Sequence, residues 1–434
     1  MSKLKPLLIV TYYWPPSGGS GVQRWLKFAK YLRKFGWEPI ICTPENPEIP
    51  IRDNSLADEI PEGLTVIKLP IWEPYNLYRK FLGNKNEKVG IGLASDRKKD
   101  SPLKKLGLWI RGNFFVPDPR KFWVAPTAKF LTEYITQNGI GHVVTTGPPH
   151  SMHLIGLKLK QETDVRWIAD FRDPWTGIYY YDKLMLSWLS NNQHRRLENQ
   201  VLTAADMVLA VGPSLARELE DKGATKVRVV HNGFDRADYQ ERDSQNEVEK
   251  GFTLGYLGSF LATQNHDSLW QALKEFKAEN AEFSNDLRIL TVGQLDPVIT
   301  DSLQRHGLQE DWTEIGYVSH DMIIQHQMEC DVLLLMINNT QNAKLILTGK
   351  LFEYMATGKP IVCIGPRNCD AAAVLKATSS GWSFHFDDVA GIKKTVRDIY
   401  NGSIEFRPDE ERVEDFSRER LTEKLSSLLN ELPK

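Results

Sequence analysis

The sequence has 434 residues, of which 41% are hydrophobic and 25% are charged, with a formal net charge of -2. A single hydrophobic core stops growing at about 250–300 residues, so two domains are expected. The near-neutral charge excludes the strongly basic character of a nucleic-acid-binding protein, and the composition excludes a disordered chain. The four cysteines form no C-x-x-C pair, so neither a zinc site nor a disulfide framework is indicated, and a reducing cytoplasm fits best.

In the first half of the chain, short apolar runs alternate with helix-like stretches. Continuous apolar runs of this length are typical of buried parallel strands, and their alternation with helices indicates a doubly wound α/β sheet. The predicted strands are Leu7–Val10, Pro39–Cys42, His142–Thr145, Trp167–Ala169 and Met207–Val211.

The second half repeats this pattern, which predicts a second α/β domain. Its predicted strands are Thr253–Leu257, Leu287–Val292, Val332–Ile337 and Ile361–Ile364. The stretch 236–250 is charged and nearly free of large apolar residues, as expected of a linker. We therefore predict an N-terminal domain over 1–235, a linker over 236–250, a C-terminal domain over 251–408 and one amphipathic C-terminal helix over 409–434.

Residues 72–123 interleave Lys and Arg with aromatic residues and are longer than an ordinary strand-to-helix connection. Two interpretations stay open for this insertion. It is either a partly helical surface excursion with solvated charges, or a patch that meets acidic lipid headgroups or an extended acceptor.

A glycine-rich turn follows the first strand and precedes the helix-like stretch Trp25–Phe35. Gly18, Gly19 and Gly21 would let backbone N–H groups approach a ligand, and a helix N-terminus behind them favours an anion. The spacing lacks the full G-x-G-x-x-G pattern of dinucleotide binders, so a tight turn without a ligand is the alternative.

A second motif runs from Thr348 to Pro360, directly before an apolar run. Thr348 and Gly349 can expose N–H groups at a helix start, Lys350 adds a cation, and Glu353 follows on the same face. This pattern suits a nucleotide diphosphate, with the Glu353 carboxylate accepting hydrogen bonds from the ribose. Alternatively, Thr348 caps the helix and the two charges are solvated, but a cation in the first helical turn is then unexplained.

Polar residues also follow two other predicted strands. Asp170, Arg172 and Asp173 come at the end of the strand Trp167–Ala169, where ligands of open α/β sheets bind. The alternative is a local ion pair between Arg172 and an aspartate that closes a loop. His150 follows the strand His142–Thr145 and is a ligand contact, a helix cap or neither.

These motifs occur in the order typical of one enzyme family. The glycine-rich turn, the turn at Val230–Asp235, the strand end at Leu257–Ser259 and the helix at Thr348–Pro360 together resemble the family-4 (group 1) retaining glycosyltransferases. The resemblance covers essentially the whole chain. It implies the GT-B fold, in which two Rossmann-like domains face each other across a cleft. It also implies that the C-terminal domain binds a nucleotide-sugar, that the N-terminal domain binds the acceptor, and that the last helix crosses back to the first domain.

The resemblance assigns roles to several residues in the second half. Glu353 resembles the second glutamate of the family's E-x7-E signature, which binds the donor ribose, whereas Leu345 stands in place of the first glutamate. Many members carry an Arg and a Lys at the positions of Ser259 and Gln264. Lys350 is then expected to be the main cation for the diphosphate.

Further contacts follow from the same comparison. The segment Gly316, Tyr317 and Val318 resembles the one that lies against the nucleobase, and Lys344 and Arg24 are expected to help Lys350. A histidine follows the strand in many relatives at the place where this chain has Arg172 and Asp173. With His150, these two residues are the predicted catalytic set.

The resemblance predicts a retaining transfer from a UDP- or GDP-sugar to a saccharide or lipid-linked acceptor, without a cofactor. The sequence offers no Asp-x-Asp cluster as a Mg²⁺ site, so the transfer is predicted to be metal-independent, and the charge balance predicts no nucleic-acid partner. Backbone N–H groups of Gly18, Gly19 and Gly349, with Lys350, would stabilise the departing diphosphate. The expected setting is cell-envelope or exopolysaccharide biosynthesis in the cytoplasm, with peripheral contact to the inner face of the membrane. The alternative function is a catalytically silent scaffold or nucleotide-sugar-binding partner protein.

Overall fold

The computed structural model describes residues 4–49, 52–74, 102–239 and 251–432. They fall into two compact units, one comprising residues 1–231 with 421–434 and the other comprising residues 232–420. Of the predicted linker, Arg236–Tyr239 forms a short 3-10 helix of the second unit. Residues 240–250 of that linker and 75–101 of the predicted insertion lie outside the described residues.

The first unit contains a seven-stranded parallel sheet with the strand order β3-β2-β1-β4-β5-β6-β7. Its strands are β1 Lys5–Val10, β2 Trp37–Pro44, β3 Thr65–Leu69, β4 His142–Gly147, β5 Arg166–Phe171, β6 Met207–Ala210 and β7 Val227–Val229. Its helices are α1 Ser20–Leu32, α2 Pro102–Phe114, α3 Lys121–Asn138, α4 Ser151–Glu162, α5 Trp188–Ala204 and α6 Pro213–Asp221.

The second unit contains a six-stranded parallel sheet with the order β10-β9-β8-β11-β12-β13. Its strands are β8 Phe252–Leu257, β9 Leu287–Val292, β10 Trp312–Ile315, β11 Val332–Met336, β12 Ile361–Ile364 and β13 Gly381–Phe384. The helices that follow in the chain are α7 Asp267–Glu279, α8 Ala281–Asp286, α9 Pro297–Arg305, α10 His320–Glu329, α11 Gly349–Ala356, α12 Asp370–Thr378, α13 Val389–Tyr400, α14 Glu410–Glu414 and α15 Arg418–Asn430.

Both sheets are buried on their two faces, which explains why their central strands carry continuous apolar runs. In β1, Leu8 and Val10 belong to one hydrophobic cluster, whereas Leu7 and Ile9 belong to the cluster on the opposite face. Successive side chains of a strand point to opposite faces, so a strand covered on both sides needs an apolar residue at every position. The predicted doubly wound α/β class is therefore confirmed, and each predicted strand coincides with an observed one.

The predicted C-terminal helix is wrong as a single element. The chain forms α14 and α15 with a break at residues 415–417. At the break, the Phe234 amide donates to the Phe416 carbonyl oxygen at 3.1 Å and the Arg418 amide donates to the Phe234 carbonyl oxygen at 2.7 Å. These bonds draw the backbone out of the helix. The leucines of α15 then pack into the core of the first unit with Trp25 and Trp37, namely Leu421, Leu425, Leu428 and Leu429.

Each sheet has one point at which the strand order reverses direction. In the first unit this point lies between β1 and β4, and in the second unit it lies between β8 and β11. Loops that follow the two strands at such a point diverge to opposite faces and leave a crevice at the carboxyl edge, where ligands of open α/β sheets bind. None of the helices among the described residues has the length and hydropathy needed to cross a membrane.

Candidate functional site

In the second unit, helix α11 begins beside the crevice between β8 and β11. No side chain caps its first turn, and the Oγ1 atom of the preceding Thr348 is buried without a hydrogen-bond partner among the described residues. A side chain built on Gly349 would meet nothing within 4 Å, so the space in front of the helix is open. Uncapped N–H groups at an open helix N-terminus form a site for an anion such as a diphosphate.

Lys350 places its ammonium group at this helix start. Its Nζ atom donates to the Tyr256 hydroxyl at 2.8 Å and lies 4.2 Å from the centre of the Tyr256 ring. Burial lowers the pKa of Lys350 to about 7, and the nearby Glu353 carboxylate acts in the opposite direction. Glu353 is half-buried and has no hydrogen bond or ion pair within the described part of the chain. A cation and a carboxylate thus lie three residues apart at the start of α11, as the sequence predicted.

Glycines let the Lys350 side chain lie directly over the end of β8. Gly258 has a φ of 111°, and a Cβ atom there would lie 2.5 Å from Lys350 Cε. Gly293, which follows β9, packs so closely that its own Cβ would lie 2.9 Å from the Gly258 backbone. The Gly293 amide also donates to the Gly316 carbonyl oxygen at 3.1 Å. The structure therefore brings Lys350, Gly258 and the predicted nucleobase segment together at one edge of the sheet.

The remaining predicted donor residues occupy distinct positions at this edge. Ser259 is exposed, and its carbonyl oxygen lies 2.8 Å from the Tyr256 hydroxyl. Tyr317 is exposed, whereas Val318 packs partly against the hydrophobic core. Leu345 ends a 3-10 turn at Ala343–Leu345 and lies four residues before Gly349.

Gln264 has a structural role that the sequence did not suggest. Its side chain is buried, and its Oε1 atom accepts from the Leu261 amide at 2.9 Å and lies 3.1 Å from the Tyr256 hydroxyl. Its Nε2 atom donates to the Met336 carbonyl oxygen at 3.2 Å. Gln264 therefore fixes Tyr256, which in turn receives the hydrogen bond of Lys350.

In the first unit, the structure gives Arg24 a structural role in place of the predicted phosphate contact. Arg24 is fully buried and forms a bidentate ion pair with Asp170, at 3.1 Å from Nε to Oδ2 and 2.8 Å from Nη2 to Oδ1. Trp25 and Thr146 also donate to the Asp170 carboxylate, each at 2.8 Å. Burial raises the pKa of Asp170, but Arg24 and these donors outweigh it and hold the pKa below its usual range. Asp170 is thus an ionised internal partner of Arg24.

Arg172 joins the glycine-rich turn to the loop after β4. A Cβ atom on Gly21 would lie 3.0 Å from Arg172 Nη1, so the glycine permits close approach of the first turn of α1. Arg172 Nη2 donates to the Pro148 carbonyl oxygen, and Arg172 Nε is buried without a hydrogen-bond partner among the described residues. Asp173, the next residue, is exposed. The alternative interpretation was an ion pair between Arg172 and an aspartate that closes this loop. Asp170 does not form that pair, because its carboxylate pairs with Arg24.

Helix α1 presents an uncapped N-terminus next to this loop. Gly19 occupies the N-cap position with a φ of 91°, and no side chain caps the helix. Gly18 is half-buried and Gly19 is exposed. The predicted anion site of the glycine-rich turn therefore has open backbone N–H groups, with Arg172 as the adjacent cation.

Two histidines face the space beside Gly147 at the end of β4. A Cβ atom on Gly147 would lie 2.6 Å from His153 Nε2 and 3.1 Å from His150 Nδ1, and both nitrogens are buried without a hydrogen-bond partner in the described structure. The His150 ring stacks on Trp175, with ring centres 4.8 Å apart. Burial, with the neighbouring His153 and Arg172, holds the pKa of His150 well below its usual value. His150 is therefore uncharged at neutral pH and available for hydrogen bonding.

His153 was missed by the sequence analysis. Its Nδ1 atom lies 2.9 Å from the Thr145 hydroxyl, which accepts a hydrogen bond from Trp167 Nε1 at 2.9 Å. The Thr145 hydroxyl can donate to Nδ1 or accept from it, according to the tautomer of the His153 ring, and in either tautomer Nε2 faces the Gly147 space. Burial lowers the pKa of His153 to about 3. The signal in the sequence was the spacing of His150 and His153, which places both on the first turn of one helix.

Comparison with known proteins matches two glycosyltransferase models to successive parts of the chain. The model of Glycosyltransferase Family 4 matches residues 91–238, and the model of Glycosyl transferases group 1 matches residues 251–401. A sequence search among curated proteins gave no significant match.

Solved structures resemble the whole chain at low sequence identity. A glycosyltransferase from Rickettsia africae has a TM-score of 0.63 at 14% identity, over 98% of this chain and 97% of that one. WaaG, a glycosyltransferase involved in lipopolysaccharide biosynthesis, has a TM-score of 0.55 at 12% identity, over 97% and 99%. A trehalose-6-phosphate protein from E. coli bound with UDP-2-fluoro glucose has a TM-score of 0.60 at 9% identity, over 99% and 100%. These likenesses confirm the predicted two-domain α/β fold of the GT-B type.

Proposed function

Because this chain belongs to the family-4, group 1 glycosyltransferases, we propose that it transfers a sugar from a nucleotide-diphosphate sugar to a saccharide or lipid-linked acceptor, with retention at the anomeric carbon. The observation that supports the donor most directly is the start of α11. There, an open, uncapped helix N-terminus, the Lys350 ammonium and the Glu353 carboxylate lie within one helical turn. Those groups complement a diphosphate and the hydroxyls of a ribose.

The proposed chemistry depends on stabilising the leaving group. As the bond to the anomeric carbon breaks, negative charge grows on the diphosphate, and fixed N–H groups and a cation stabilise that charge more than they stabilise the ground state. The α11 amides and Lys350 supply both in the second unit. We propose that the acceptor hydroxyl loses its proton to the leaving phosphate oxygen, so no protein nucleophile is required. In this proposal His150, Arg172 and Asp173 of the first unit orient the acceptor, and Gly18 and Gly19 remain predicted phosphate contacts.

The donor site is tested by thermal unfolding of the pure protein with a panel of UDP-, GDP-, ADP- and dTDP-sugars. A ligand at about 100 times its dissociation constant stabilises the native state by about 2.7 kcal/mol. We expect one nucleotide to raise the unfolding temperature, and Glu353→Ala to remove that shift. Glu310→Ala, which changes an exposed carboxylate of the same unit, should keep it.

A second candidate function is a silent GT-B scaffold that binds a nucleotide-sugar without transferring it. Leu345 in place of the first signature glutamate favours this alternative, because the expected contact to the transferred sugar is missing. Release of free nucleotide from the stabilising donor, with and without a saccharide mixture, separates the two functions. Turnover supports transfer, whereas binding without turnover supports the scaffold.

The cellular setting is also a proposal. WaaG acts in lipopolysaccharide biosynthesis, and we propose a related role for this chain in cell-envelope or exopolysaccharide assembly. A lipid-linked acceptor would require the protein to work peripherally at the inner face of the membrane. Sedimentation of the active enzyme with an inner-membrane fraction would test this setting.

A further inference from the structure

Large apolar side chains of the first unit are exposed at the junction of α2 and α5. Trp188 is 74% exposed, Leu189 is 72% exposed and Phe114 is 61% exposed. Exposed apolar residues are ordinary when they are scattered singly, but a contiguous group marks an interaction site. We call this group the α2 surface; its residues are Leu106, Trp109, Phe114, Met185, Trp188 and Leu189.

Hydrogen bonds hold the two halves of the α2 surface together. Asn113, near the end of α2, donates from Nδ2 to the Met185 carbonyl oxygen at 3.2 Å and accepts at Oδ1 from the Ser187 amide at 2.7 Å. The Ser190 hydroxyl donates to the Asn113 carbonyl oxygen at 3.2 Å. The α2 surface is therefore a fixed feature of the fold that joins two segments distant in the sequence.

Close packing makes the same junction rigid. A Cβ atom on Gly112 would lie 2.6 Å from the Leu184 carbonyl oxygen, so only a glycine lets α2 approach the segment before α5 this closely. The Trp109 and Phe114 rings lie 5.8 Å apart in an edge-to-face arrangement. The aromatic side chains are thus held outward by a packed backbone.

The charges around the α2 surface are mainly positive. Helix α2 carries Lys105 and Arg111, and Lys183 and Asp182 precede α5 in the sequence. At the end of α2, Lys121 Nζ donates to the Phe114 carbonyl oxygen at 2.6 Å. Tryptophan beside lysine and arginine is the combination that partitions to the headgroup region of an anionic bilayer.

We propose that the α2 surface docks this protein onto an anionic lipid membrane, with Trp188, Leu189 and Phe114 entering the interface and the cations meeting the headgroups. The charge favours this occupant over a second copy of the chain, because two α2 surfaces would face each other with like charge. The proposal concerns the first unit alone, and it stands whether or not the proposed sugar transfer is correct.

The test is co-sedimentation of the full-length protein with vesicles of pure phosphatidylcholine and with vesicles that contain phosphatidylglycerol in equimolar amount. We expect binding to the anionic vesicles, and at least about a tenfold loss in the double variant Trp188→Ser with Leu189→Ser, because both side chains leave water on docking. Met322→Ser is the matched control, since Met322 is an exposed apolar residue of the second unit.

Charge is tested separately. Each lysine or arginine near an anionic bilayer raises the partition coefficient of the protein about fivefold. The double variant Lys105→Glu with Lys183→Glu should therefore weaken binding at least about tenfold. Lys274→Glu with Lys376→Glu makes the same change at exposed sites of the second unit and should leave binding unchanged. All of these residues are exposed, and unchanged thermal unfolding of each variant would show that the fold is intact.

Several results would overturn the proposal. One is the absence of wild-type binding to anionic vesicles. Another is equal binding by wild type and by the Trp188→Ser, Leu189→Ser variant. A third is a loss of binding in a control variant of the second unit that is as large as the loss in the matching variant of the α2 surface. A dimer in solution that the same double variant dissociates would assign the α2 surface to a second copy instead. Nucleotide binding is measured in parallel, so failure of the membrane test leaves the donor site unaffected.

Discussion

Binding of a nucleotide diphosphate is expected to weaken as the pH rises through about 7, because Lys350 then loses its charge. Burial lowers the pKa of Lys350 to about 7 in the free protein. The protonated ammonium attracts the diphosphate, whereas the neutral amine does not. Binding therefore favours low pH. Both phosphates of a nucleotide-sugar are esterified on two sides and stay ionised throughout this range, so the donor itself adds no pH dependence.

The size of the effect follows from the titration. With a pKa of about 7, the protonated fraction of Lys350 falls from about nine-tenths at pH 6 to about one-tenth at pH 8. If only the protonated form binds, the affinity falls about tenfold, which is about 1.4 kcal/mol. Binding at pH 8 must then be accompanied by uptake of about 0.9 proton, because the bound anion restores the charge of Lys350.

The assay is calorimetric titration of the nucleotide that the panel identifies, at pH 6 and pH 8, in buffers of different ionisation enthalpy. Lys350→Arg stays charged at every pH used, so it should bind without the extra proton uptake. Lys350→Met should bind weakly at both pH values. Every other titrating group is common to the three proteins, so the difference between wild type and Lys350→Arg isolates Lys350.

The same pH slope and the same proton uptake in wild type and Lys350→Arg would show that Lys350 takes up no proton when the nucleotide binds. Binding by Lys350→Met that is as tight as that of wild type would show that the Lys350 charge contributes nothing. The second result would mean that the ammonium hydrogen-bonded to Tyr256 is not part of the donor site.

Two further predictions concern the first unit. Asp170→Asn should lower the free energy of unfolding by about 3–5 kcal/mol, because it removes one partner of the buried, bidentate ion pair with Arg24. Glu38→Gln, in a pair about a third exposed, should cost at most about 1 kcal/mol. The difference in unfolding free energy between wild type and Asp170→Asn should shrink as the pH falls below about 4. The folded protein holds the pKa of Asp170 below its unfolded value, so the stabilisation is present above the unfolded pKa and is lost as Asp170 becomes protonated. A difference that stays constant with pH would contradict this prediction. Gly147→Ala should cost about 1–3 kcal/mol by overpacking against His153, and a change under about 0.5 kcal/mol in denaturant unfolding would show that the space is larger than the structure gives.

The central part of both sheets could be predicted from the sequence, and the edges could not. The four strands that were missed are β3, β7, β10 and β13, and each lies at the edge of its sheet. An edge strand is covered less than a central one, so it does not need an apolar residue at every position. Strand β10, for example, has the sequence Trp-Thr-Glu-Ile with no fully buried residue, and it carries no continuous apolar run to recognise.

The candidate site shows a similar division. The motif around Lys350 and Glu353 was predictable because its residues are close in the chain and their helical spacing is fixed. The pairing of Arg24 with Asp170 was not, because these residues are 146 positions apart and sequence spacing does not tell which aspartate a buried arginine meets. The same holds for Tyr256 and Lys350, whose contact depends on how α11 lies against the end of β8.

The substitutions near the end of β8 form a consistent set, and this favours an altered donor site over a degenerate one. Where relatives carry a second cation, Gln264 orders Tyr256, and Tyr256 positions the ammonium of Lys350. Gly258 has a φ of 111° and no side chain, so it leaves room for the aliphatic part of the Lys350 side chain. A site decaying without selection would be expected to lose such contacts one at a time. Here Gln264, at the place of one cation, orders Tyr256, which is the hydrogen-bond partner of Lys350. This is what we expect if the proposed phosphate site lies at the first turn of α11.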